Sequence, residues 1–162
     1  MITMRGIIIF VSGVLAGLFL ETDIAQNNNS GVITLNHVGI AVDDMDESVA
    51  FYTETMGFER TFSLANTEGQ MGLMYLRVGE NTFLELTSAN EYVPAGLTHI
   101  GIQVEGMESV KAMYEGRGAS PTETRTSGTQ AILSYITDPQ GVPIELSEYP
   151  PDSAEGKALA GE

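Results

Sequence analysis

The chain has two histidines, His37 and His99, and they stand 62 residues apart at the same place in a repeated phrase. Residues 35–42 read Leu-Asn-His-Val-Gly-Ile-Ala-Val, and residues 97–104 read Leu-Thr-His-Ile-Gly-Ile-Gln-Val. Two glutamates recur in the same manner, Glu85 in Phe83-Leu84-Glu85-Leu86 and Glu145 in Pro143-Ile144-Glu145-Leu146. Two imidazoles and two carboxylates are nitrogen and oxygen donors, a set that suits zinc, nickel, cobalt, manganese or iron(II). The sequence contains no cysteine, which excludes thiol nucleophiles, disulfides and thiolate ligands. Taken singly, a buried His is an ordinary core residue and a strand Glu an ordinary solvated one. Taken together, the repeat argues for one shared site, because a carboxylate is costly to bury unless it is paired or metal-bound.

These residues need elements to position them. From Thr34 to Val42 apolar and small residues alternate as in a strand, with Leu35, His37, Gly39 and Ala41 on one face and Asn36, Val38, Ile40 and Val42 on the other. The His face is otherwise small and suits a cavity, whereas the Val/Ile face suits packing against a helix. Asp44 and Glu47 form a capping signal for that helix. Met45, Val49, Tyr52 and Met56 give it an apolar stripe, and Gly57 closes it. Strands follow around 59–64, 72–78 and 82–87. The second copy repeats the plan: a strand over 97–104, a helix from Met107 to about Gly116, and strands near 121–126, 131–137 and 142–147. The turn Asp138-Pro139-Gln140-Gly141 joins the last two. Tyr75 and Tyr135 recur along with the glutamates. The fold class is therefore α+β, two tandem βαβββ modules at 34–88 and 97–148. Residues 149–162 show no periodic pattern and read as a flexible tail.

Charge narrows the partners. With 22 acidic against 7 basic residues the net charge is −15, which repels phosphate backbones and excludes nucleic acid as a natural partner. Arg5 followed by the uncharged apolar run from Gly6 to Leu20 reads as a signal peptide or N-terminal anchor over 1–25. Residues 26–33 then form a polar linker. The expectation is an exported protein, periplasmic or secreted, with a membrane tether if the segment is retained.

These motifs resemble those of a known family. The first strand with Phe51-Tyr52 and Gly57-Phe58, and the ending Asp138-Pro139-Gln140-Gly141-Val142-Pro143-Ile144-Glu145-Leu146, look like the two halves of the vicinal oxygen chelate superfamily. That superfamily includes glyoxalase I, methylmalonyl-CoA epimerase, bleomycin-resistance proteins and ring-cleaving dioxygenases. The resemblance implies paired modules forming a U-shaped, cavity-bearing mixed sheet with helices outside. It also implies one divalent metal ion (nickel, cobalt or zinc first, then manganese or iron) held by His37, Glu85, His99 and Glu145. That ligand pattern resembles bacterial glyoxalase I. There a metal chelates two substrate oxygens and polarises a carbonyl, and a glutamate moves the adjacent proton; by resemblance Glu145 is ligand and base. The implied protein is a homodimer acting on a small molecule by lactoylglutathione lyase-type isomerisation.

Two positions depart from that pattern. Where bacterial glyoxalase I carries a glutathione-holding arginine, four residues after the first His, this chain has Ala41, and Arg125 is the best remaining substrate anchor. Glu68, which stands eleven residues before Gly79, resembles the second catalytic glutamate of methylmalonyl-CoA epimerase in its place, which makes it a substrate-site residue if the chain is an epimerase. The superfamily also contains iron(II) dioxygenases and non-catalytic ligand-binding proteins. Glu85 would crowd the open coordination sites of a dioxygenase, and a complete metal set is atypical of a ligand-binding protein.

Overall fold

A computed structural model describes residues 30–162. The proposed signal or anchor over 1–25 and the first half of the linker, 26–29, lie outside the described residues, and the end of the linker, Val32 and Ile33, belongs to the first strand. Among the described residues no helix is long and apolar enough to cross a membrane.

The first module runs β1 (Val32–Val42), α1 (Met45–Ala50), β2 (Glu59–Ala65), β3 (Met71–Gly79) and β4 (Thr82–Ser88). The second runs β5 (Gly96–Val104), α2 (Met107–Gly116), β6 (Arg125–Thr126), β7 (Ile132–Thr137) and β8 (Pro143–Glu148). All eight strands form one open mixed sheet in the order β2-β3-β4-β1-β5-β8-β7-β6. Within each module the first strand lies parallel to the last, β1 beside β4 and β5 beside β8. The modules meet where β1 and β5 pair antiparallel, centred on Val38 opposite Ile100.

Each helix covers the apolar face of its own half-sheet. Asp44 caps α1 by accepting from the Glu47 N–H at 2.9 Å. Val49 packs there with Met74, Leu76, Leu84 and Leu86. The expected helix through Met56 instead relaxes into a π turn over Phe51–Thr55 before Gly57 closes it at φ 75°. In the second module Met107 and Val110 of α2 pack on Val104 and Leu146. Gly106 has no side chain with which to cap α2, and Glu148 takes over by accepting from the Met107 N–H at 2.8 Å.

Two further local expectations fail. Alternation along β1 breaks at Asn36. The pairings Leu35–Ile102 and His37–Gly101 leave no partner opposite it, as at a β-bulge. Asn36 therefore does not face the helix with Val38 but is fully buried, with hydrogen bonds to Tyr75 and Tyr149. The segment 149–162 is not a patternless tail either. It forms a third helix, α3 (Ala154–Ala160), which Ser153 caps by accepting from the Gly156 N–H at 2.9 Å. Ala158 buries itself against Tyr75 and Phe83. Those residues share the face of Glu85, so α3 lies on the cavity side of the sheet rather than outside it. Seven residues are too few for a stable isolated helix; tertiary contact with these aromatic rings holds it.

Candidate metal centre

The antiparallel β1–β5 register sets His37 opposite Gly101 and His99 opposite Gly39. Each imidazole lies over the other strand's glycine. A Cβ at Gly101 would stand 2.0 Å from His37 Cε1, and one at Gly39 would stand 2.1 Å from His99 Cε1. The His-x-Gly repeat thus has a steric reason, since each glycine clears space for the ring arriving from the other module. The two rings cross nearly edge-on, and their Nε2 atoms come within 2.9 Å of each other.

The other ring nitrogens have polar partners of their own. His37 Nδ1 lies 3.3 Å from Asn36 Oδ1, and His99 Nδ1 lies 3.0 Å from Thr98 Oγ1. With a proton on one Nε2 the two rings share a hydrogen bond; with a proton on each Nδ1 both Nε2 lone pairs point at one another, the arrangement in which two imidazoles share a cation. Burial holds both imidazoles neutral at pH 7: it pulls His37 down to about 4 against the opposing pull of Glu145, and it lowers His99 likewise.

The glutamates arrive on β4 and β8. Ligand atoms of His37, Glu85 and His99 all lie within 4.8 Å of one another. Glu145 Oε1 is 3.5 Å from His37 Nε2, and its Oε2 is 4.0 Å from His99 Nε2. All four repeat residues therefore line one cavity of about 180 Å³. First-row metals bind such donors at about 2.0–2.2 Å, so ligand atoms around one ion sit roughly 3–4 Å apart. With two neutral imidazoles, oxygen donors and a Cβ-free cradle, the residues present fit a divalent cation.

The glutamates differ in their support, although each stands opposite a tyrosine, Glu85 opposite Tyr75 and Glu145 opposite Tyr135. Ser147 Oγ donates to Glu145 Oε1 at 2.7 Å, and Tyr135 Oη donates to its Oε2. Each Glu145 oxygen keeps a second lone pair for the cavity. Arg125 stands behind, with Nη2 donating to Tyr135 Oη at 3.2 Å. It is exposed and lines the same cavity. Tyr75 instead donates to Asn36, and no described residue donates to Glu85. Burial pushes Glu85 up to about 8, with further contributions from Glu145 and Glu155.

Glu68 is not in this cavity. It sits exposed in the β2–β3 loop, where its N–H donates to Asn66 Oδ1 at 3.0 Å, beside an open depression shared with Asp43 and Asp44. Spacing from Gly79 carries no information about which end of the sheet that loop occupies.

Three residues of the site carry no signal in the sequence pattern, Asn36, Tyr149 and Glu155, whereas alternation along the last strand already sets Ser147 on the face of Glu145. Tyr149 Oη donates to Asn36 Oδ1 at 3.0 Å and lies 3.2 Å from His37 Nδ1. The recurrence of Tyr75 and Tyr135 beside the glutamates is the one pointer in the sequence to a hydrogen-bonded ring around the site.

Comparison with known proteins bears on the family and the fold. The Glyoxalase/Bleomycin resistance protein/Dioxygenase superfamily pattern matches residues 34–146. The chain is 26% identical over 149 residues to a lactoylglutathione lyase of Schizosaccharomyces pombe, covering 75% of this chain and 49% of that protein. It therefore spans about half the length of that relative. A probable lactoylglutathione lyase of Vibrio parahaemolyticus is 28% identical over 127 residues, covering 73% of this chain and 92% of its own. Among solved structures, methylmalonyl-CoA epimerase from Mycobacterium tuberculosis superposes with a TM-score of 0.65 at 21% identity, covering 85% of this chain and 98% of its own. With the pattern spanning both modules and the fold shared, the chain belongs to the Glyoxalase/Bleomycin resistance protein/Dioxygenase superfamily.

Proposed function

We propose that the protein is a metal-dependent lyase or isomerase of glyoxalase type, which moves a proton next to a carbonyl of a small-molecule substrate. The observation that carries this reading is the convergence of His37, Glu85, His99 and Glu145 on one buried cavity. The names of the sequence relatives support the reaction class. The bound cation, nickel, cobalt or zinc in first place, would polarise the substrate carbonyl and acidify the neighbouring C–H.

The remaining work falls to the chain's own residues. His37 and His99 supply neutral nitrogen donors, oriented through Asn36 and Thr98. Glu145 is ligand and general base: Tyr135 and Ser147 fix its plane, and its free lone pairs face the cavity, where a substrate proton is to be taken up and returned. Arg125 on the cavity lining holds a substrate anion. An epimerase of this family would need Glu68 in the substrate site, and its place outside the cavity lining leaves that reading without its second acid. Homodimerisation and export by residues 1–25 belong to the same proposal. Sedimentation and cell fractionation test them, and a monomer or a cytoplasmic chain would refute each in turn.

The test of the activity is conversion of adducts between 2-oxoaldehydes and a panel of thiols to 2-hydroxyacyl thioesters. The metal-loaded protein is expected to convert at least one adduct and the chelator-stripped protein none. Equal rates with and without metal would refute the reading.

A further inference from the structure

Glu155 belongs to no repeat and lies beyond the matched family region. It is 6% exposed, and its Oε2 is buried with no hydrogen-bond partner. It lines the same cavity as His37, Glu85, His99 and Glu145. No described residue forms an ion pair with it, and the cavity's one guanidinium, Arg125, is engaged with Tyr135.

The backbone around Glu155 gives it little freedom to leave. Ser153 caps the start of α3, and the Ala154 N–H donates to the Thr129 carbonyl at 2.9 Å. Gly156 passes so close to Pro150 that a Cβ there would lie 2.2 Å from the Pro150 carbonyl oxygen. At the other end Arg77 donates to the Ala158 carbonyl, and Ala158 is buried against Tyr75 and Phe83. The helix is thus fixed at both ends and delivers a carboxylate, one oxygen free, into a space already holding two others. A buried carboxylate is stable only when paired or associated with a metal, and the described residues supply no counter-charge.

We propose that Glu155 is a further anionic group of the cation site, brought from outside the two modules by the C-terminal helix, and that cation binding and docking of α3 are coupled. This rests on the metal-dependent reading above. The coupling is reciprocal: a docked α3 strengthens cation binding, and a bound cation holds α3 in place. Outer carboxylates of metal sites are worth roughly 10–100-fold in affinity.

The test uses the full chain and zinc or cobalt(II) alone as probe. Glu155→Gln is expected to bind the ion about 10–100-fold more weakly in competition with a chelator. Its metal-free melting temperature should equal or exceed the parent's, because an unpaired charge has been removed, and its metal-induced rise should shrink. A merely structural residue would behave oppositely, lowering the metal-free melting point and leaving affinity unchanged. Hydrogen exchange of the parent gives a second readout that needs no variant: amides of α3 should slow when the ion is added. Unchanged affinity in Glu155→Gln, or α3 exchange indifferent to metal in the parent, overturns the proposal. If the parent binds the ion and Glu155→Gln binds it equally, this inference alone fails. If the parent binds none, the metal reading fails with it.

Discussion

His37 packs its ring into the space above Gly101, so closely that a methyl group at position 101 would lie 2.0 Å from its Cε1. The same relation holds between His99 and Gly39, and together the four residues form the seam between the modules. Gly101→Ala should therefore displace His37 and lower metal affinity by about tenfold or more, as loss of a ligand-orienting contact does. Overpacking of this kind costs about 1–3 kcal/mol of stability. Chelator competition and thermal melting measure both effects. Unaltered affinity in Gly101→Ala would show that the ring does not need this cradle.

Metal affinity should depend on pH through Glu85. Its carboxyl, raised to about 8, holds a proton at neutral pH and must release it to bind a cation. Affinity should rise about tenfold per pH unit up to about 8 and then level, with about one proton released at pH 7. His37, lowered to about 4, is already neutral throughout that window. Without metal the sign reverses. A carboxyl with a folded-state value above its unfolded one contributes stability at low pH that is lost as pH rises through the folded value. The stripped domain should thus lose up to about 1.4 kcal/mol per pH unit from the unfolded value of 4.5 up to about pH 8, and little beyond it. Titration in buffers of different ionisation enthalpy, with melts of the stripped protein, checks both signs.

Ligand and base roles separate by substitution. Glu145→Gln keeps an oxygen donor and removes the proton acceptor, so metal should largely remain while turnover falls by about 10²–10⁴-fold. His37→Ala should lose metal and turnover together, and Glu68→Gln, outside the cavity, should change neither. If Glu145→Gln turned over at the parent rate, Glu145 would be a ligand only and the unsupported Glu85 would become the base.

Tyr135 is expected to act through Glu145. Tyr135→Phe removes the donor to Oε2 while keeping the ring. Metal content should be retained and turnover should fall, because the donor that holds the plane of the Glu145 carboxylate is gone. Unchanged turnover would assign Tyr135 a packing role alone.

The repeat makes most of this legible in the sequence. His37, Gly39, His99 and Gly101 recur because the two modules are built alike, and period-two alternation places both histidines and both glutamates on the small-residue faces. Asn36 escapes because a bulge breaks that alternation, and nothing in Leu35-Asn36-His37 marks one. The α3 helix escapes because it is seven residues long, follows two prolines and contains Gly156; it exists through contact with Tyr75 and Phe83, which are distant in sequence. Ser153 before it and Gly161 after it are its legible signals, a cap at each end. Glu68 lies away from the expected site because spacing from Gly79 constrains the hairpin and not the end of the sheet at which the loop lies.

The metal content of the purified chain, measured together with X-ray absorption at the metal edge, tests the four-residue centre most directly. One divalent first-row ion per chain is expected, bound by nitrogen and oxygen at about 2.0–2.2 Å without sulfur, with no retained ion in His37→Ala or His99→Ala. A parent chain that retains no ion after metal loading, or histidine variants that retain it as well as the parent, would contradict a metal centre at this seam.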